Sequence, residues 1–72
     1  MELSEAAKLY DEVAAELDRA AQHCRVASTH FANKEVPRGA AHAWAAYGHL
    51  LEAQERMHEQ ARAHSQRAVP QT

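Results

Sequence analysis

Seventy-two residues, a formal net charge of −2 and one cysteine set narrow bounds: a single domain, 1–72, near the lower size limit for an unaided core, with no internal disulfide open to Cys24. Acids and bases interleave without a basic stripe, no apolar run reaches membrane-spanning length, and the start MELSEAAK lacks a cationic segment leading into an apolar one. Nucleic-acid binding and a membrane span are therefore not expected, and a cytoplasmic location is.

From about residue 4 to 33 there is no glycine or proline, and strong helix formers dominate. This predicts one helix of about 4–33, with Ser4 as N-cap and Glu5 suited to the helix dipole. Leu3, Tyr10, Leu17, Cys24 and Phe31 fall one heptad apart and define an a row. Ala6, Val13, Ala20 and Ala27 form the d row, and Ala7, Ala14, Ala21 and Ser28 the e row. Large side chains in one row beside small ones in the next suit close approach by a second helix. A helix of about 30 residues spans ~45 Å and needs a long partner.

Val36 precedes Pro37, which predicts a turn over 34–36 and places the proline at the first position of a second helix of about 37–68. So short a connection makes the helices antiparallel neighbours. The second a row is Val36, Ala43, Leu50, Met57 and His64; the d row is Gly39, Ala46, Ala53 and Gln60; the e row is Ala40, Tyr47, Gln54 and Ala61. Folding about position 35 sets Phe31 against Gly39, Cys24 against Ala46, Leu17 against Ala53 and Val13 against Met57, so that large mostly faces small. The expected fold is all-α, two long antiparallel helices with the a and d rows as core. That core weakens toward Tyr10, Gln60 and His64, and residues 69–72 are expected to be disordered.

Trp44 and Leu51 lie beside the a row with Ala41, Ala45 and Gly48 around them, on a surface that a lone hairpin leaves in water. Ala41, Trp44, Gly48 and Leu51 are the expected interface. Its simplest use is a homodimer forming an antiparallel four-helix bundle; docking on a larger protein partner is the other.

His23, His30, His42 and His49 all occupy the g row, next to d on the side away from a. The same folding pairs His23 with His49 and His30 with His42, two levels ~10.5 Å apart along one flank, and sets Glu16 against Arg56 as a salt bridge. Paired imidazoles suit zinc, copper or nickel, although each level offers two ligands where a zinc site takes three or four. The other readings are ordinary half-buried flank histidines and a pH-sensitive interface. Glu55 and His58 form the E-x-x-H element of di-iron bundles, but Glu55 faces outward and no inward glutamate completes the set. No catalytic triad or phosphate-cradling glycine loop is present, so no enzyme is expected.

The segments AQHCRVASTHF, EVPRGAAHAWAAYGHLLEA and HEQARAHSQRA resemble those of short, alanine- and histidine-rich bacterial helical-hairpin proteins, over about residues 17–68. The hairpin is also similar in shape to a single tetratricopeptide-type unit, though with one unit and longer helices. Neither resemblance implies catalytic residues. The expected function is a non-enzymatic interaction or structural module that self-associates or docks on a larger partner. The alternative is a small transition-metal-binding bundle using His23, His30, His42 and His49 for zinc, copper or nickel; no other cofactor is expected.

Overall fold

The chain reverses over Asn33, Lys34 and Glu35. Lys34 takes a left-handed backbone with φ 63°, and two nested hydrogen bonds close the turn. The Lys34 N–H donates to the Phe31 carbonyl at 3.0 Å, and the Glu35 N–H to that of His30 at 2.8 Å. This is a Schellman ending with lysine where glycine is usual, at a backbone cost of about 1–2 kcal/mol.

In the computed structural model, which describes residues 2–70, this turn joins α1 (Leu3–Ala32) to α2 (Val36–Arg67). The two helices pack against each other as an antiparallel hairpin, and no strand occurs among the described residues. The start of α1 differs from expectation. Glu2 rather than Ser4 holds the N-cap position, and Ser4 lies in the first turn with its hydroxyl donating to the Glu2 carboxylate. At α2, Val36 opens the helix ahead of Pro37, whose missing N–H is harmless in a first turn. Ala68, Val69 and Pro70 follow α2 outside the helix; residues 71–72 of the tail expected to be disordered lie outside the described residues.

Helices of 30 and 32 residues make a slab of 54 × 26 × 15 Å. The radius of gyration is 16.7 Å, against about 11 Å for a compact chain of this length. One dimension is a single helix thick, so no second layer covers either broad face.

The helices do not meet along the a and d rows. Their seam runs along d and g. Val13 and Ala27 from α1, with Gly39, Ala46 and Ala53 from α2, are the buried d positions, and Ala53 is fully enclosed. The g residues Glu16, His23 and His30 of α1, and Glu35, His42, His49 and Arg56 around α2, are half-buried beside them. The expected a-row core lies instead in water: Tyr10, Leu17, Phe31 and Leu50 are exposed, as is Cys24. The cause is geometric. Two helices touch through about two rows each, and alanine and glycine at d permit a close approach that bulky a residues would block. Close approach in turn brings the polar g rows within hydrogen-bonding reach of each other.

The two glycines part company here. A Cβ on Gly39 would stand 2.8 Å from the Phe31 ring, whereas one on Gly48 would meet nothing within 4 Å. Gly48→Ala should therefore stabilise the helix by up to ~1 kcal/mol through propensity alone. Gly39→Ala should lose at least as much, because Phe31 must leave its place. Paired thermal melts of the two variants check the opposite signs.

Candidate functional site

Two features are candidates for function, the apolar face that the hairpin leaves open and the polar column inside its seam.

The open face is built from the a and e rows of both helices. Across these rows no Asp, Glu, Lys or Arg occurs; the charges fall on the outer rows and in the seam. A shallow groove of ≈310 Å³ runs along it, lined by Ala20, Ala21, Cys24, Ala43, Tyr47 and Leu50 among others. Small residues form its floor, and Tyr47 and Leu50 stand at its side, each more than a third exposed. Of the four residues expected at the interface, Trp44 and Leu51 border this face on α2, with Trp44 73% exposed and set edge-on to Tyr47 at 6.2 Å. Ala41 and Gly48 are also exposed but lie further round α2. The heptad pattern contains this face, but the pattern alone places it in the hairpin's own core.

The four g-row histidines are brought together more tightly than two separate pairs. His23 stacks on His49 and His30 on His42, each at 5.5 Å between ring centroids. His23 also meets His42 at 5.2 Å, with the two Nδ1 atoms 2.9 Å apart. The levels expected ~10.5 Å apart therefore merge into one column, because antiparallel g rows interleave and each residue falls between two on the other helix. The same stagger undoes the expected Glu16–Arg56 bridge. Arg56 donates to Glu12 at 2.6 Å and lies 3.7 Å from Glu52, while Glu16 takes a hydrogen bond from His49 Nδ1 at 2.8 Å and pairs with Arg19 at 2.7 Å.

The His49 hydrogen bond holds the Glu16 carboxyl below the usual carboxylate range; burial opposes this, and the charges of Arg19, His49 and Arg56 add to it. At the other end of the column, His30 Nδ1 donates to Glu35 at 3.4 Å, and Glu35 also receives Arg38 at 3.4 Å.

As metal ligands the four histidines are poorly disposed. Stacked rings aim their nitrogens side by side, and among the described residues no group of three or more His, Cys, Asp or Glu converges on a point. A tetrahedral zinc holding His23 and His42 would need their nitrogens about 3.3 Å apart, more than the 2.9 Å found. Cys24 is exposed on the open face, on the other side of the d row from the histidines. No described helix is long and apolar enough to cross a membrane.

Comparison of the chain with protein-family models, with curated proteins and with solved structures finds no match.

Proposed function

We propose that this chain is a non-enzymatic cytoplasmic structural module that acts by self-association. Two copies bury their open faces on each other as a twofold, antiparallel four-helix bundle. The observation that carries this reading is the charge-free a and e face, left in water by a seam that uses d and g instead.

Area supports a second copy as the occupant. The hairpin exposes 5639 Å². A folded monomer of 8.0 kDa exposes about 4,450 Å², so the excess is roughly 1,200 Å² per chain. A standard interface needs about 800 Å² per partner. Shape supports it too, because α1 carries mostly large side chains at a beside small ones at e, while α2 mixes large and small in both rows, the relation by which the knobs of one copy enter the holes of another. A face with no charge offers nothing to select a charged partner. Burial within the hairpin is also slight: among the described residues the enclosed apolar side chains are Val13 and three alanines, and no large one is fully buried.

Trp44 lies at the border of the proposed contact, where an exposed indole is a strong anchor. Trp44→Ala should weaken association by about tenfold or more, read as a shift in the dimer–monomer midpoint of a size-exclusion dilution series. An unchanged midpoint removes Trp44 from the interface. A wild type that elutes as a folded monomer throughout removes the reading, and leaves a larger protein as the occupant.

A further inference from the structure

Inside the seam, four imidazoles stand in single file, contributed alternately by the two helices in the order His30, His42, His23, His49. A carboxylate closes each end, Glu35 on His30 and Glu16 on His49. In the middle, His23 and His42 touch Nδ1 to Nδ1 at 2.9 Å. A neutral imidazole has one donor nitrogen and one acceptor, so this contact requires one ring to donate and the other to accept. The pair is held by a single proton between two nitrogens. We propose that the column is a pH-responsive latch on the hairpin, closed while the His23–His42 pair shares that proton and released once both rings carry their own.

The proton count follows from the geometry. A first proton from solvent can be taken at the Nε2 of the donating ring. Its Nδ1–H still points at the accepting nitrogen, so the contact survives as a charge-assisted bond. A second proton must go to the accepting Nδ1. Two N–H groups then face each other across a gap that allows only one hydrogen, and two like charges stand 5.2 Å apart. The neighbours cannot relieve this. His49 and His30 hold Glu16 and Glu35, and each of those carboxylates already serves an arginine, Arg19 and Arg38 respectively. Further along the seam, Glu12 and Glu52 are engaged by Arg56. The remaining acids of the two helices, Glu5, Asp11, Asp18, Glu55 and Glu59, lie exposed on outer rows, so no carboxylate within the seam is left over for a further imidazolium.

Opening the seam frees both rings to protonate, so the opened chain binds more protons than the closed one, and stability rises with pH through the imidazole range. Glu16 acts in a separate window. Its carboxyl titrates below the usual range in the folded chain, so its contribution is intact above that range and disappears only as pH falls through it. The latch does not depend on self-association, since the column lies across the d row from the open face.

Thermal melts of the full chain at one fixed concentration, from about pH 7.5 to 5.5, test the latch together with the double variant His23→Gln/His42→Gln, whose amides hydrogen-bond without titrating. The wild-type Tm should fall by about 5–10 °C over this span, and the variant should lose most of that dependence. A flat wild-type profile, or an equal slope in the variant, overturns the proposal. Should the variant not fold, imidazole NMR of the wild type decides. The latch requires that His23 and His42 become fully protonated only as the Ala27 and Ala46 resonances leave their folded positions. Full protonation of all four seam histidines with those resonances unmoved contradicts it.

Discussion

Ala53→Leu should lower the Tm of the protein by roughly 10 °C or more. Ala53 is 0% exposed and sits in the d row, where the seam is closed by Val13, alanines and one glycine. A leucine there has nowhere to go except between the helices. Overpacking of this kind costs about 1–3 kcal/mol in an ordinary core, where neighbours can rearrange. Here the neighbours are backbone and short side chains, so the helices themselves must separate. Separation then breaks the seam contacts on either side of the substitution: His49 loses Glu16 at 2.8 Å and Arg56 loses Glu12 at 2.6 Å within one turn, and His23 loses His42 at 2.9 Å further along. The alanines thus set the distance at which the polar column can form. A thermal melt followed by far-UV circular dichroism gives the answer. A Tm within two or three degrees of wild type would mean that the helices are not held in close contact at this level.

The second large effect is expected on the opposite side of the d row. Leu50→Glu should convert the dimer to monomer over the micromolar range, weakening association at least ~100-fold. Leu50 is 37% exposed in the hairpin and helps line the groove with Tyr47, Cys24 and Ala43. In a monomer, a glutamate at such a site reaches water at little cost, about 0.5 kcal/mol or less. In a buried apolar interface it must shed its hydration without a partner, because no cation stands in the a or e rows. The substitution is therefore nearly silent if the face is a solvent surface and severe if a second copy covers it. Dilution series of variant and wild type separate the two cases.

Much of this architecture was legible in the sequence. The absence of glycine and proline before residue 35, followed by Val36–Pro37, gave two long helices and a tight reversal. The register read from folding about position 35 placed Phe31 over Gly39, and the Phe31 ring does occupy the space a Gly39 Cβ would need. It also set His23 beside His49 and His30 beside His42. What the pattern did not carry was the rotation of each helix about its own axis. A band three rows wide, uncharged in both helices until Arg67 at the end of α2, reads equally well as an internal core or as a surface for another copy. Two helices alone can consume only part of it. The choice fell to the d and g rows because alanine at d allows close contact and because imidazoles and carboxylates at g can satisfy one another. The same rotation moved the histidines from a flank into the seam, where a further contact between His23 and His42 links the two expected pairs. Spacing identified the four residues, but interleaving made them a column.

The N-terminal cap was missed for a local reason. Serine is a common N-cap, but helical geometry begins at Leu3, and the Ser4 hydroxyl turns back to Glu2. The lysine in the left-handed position of the turn gave no sequence mark, since glycine is the residue that announces such a site.

The central claim is that the a and e face is covered by a second copy of the same chain. Sedimentation equilibrium of the wild type at neutral pH tests it most directly, because the method returns mass without reference to shape, which matters for a rod-like hairpin. The account predicts twice the 8.0 kDa chain mass at micromolar concentration, falling toward the monomer on dilution. A mass of 8.0 kDa at every concentration, from a chain that still melts cooperatively, would contradict it.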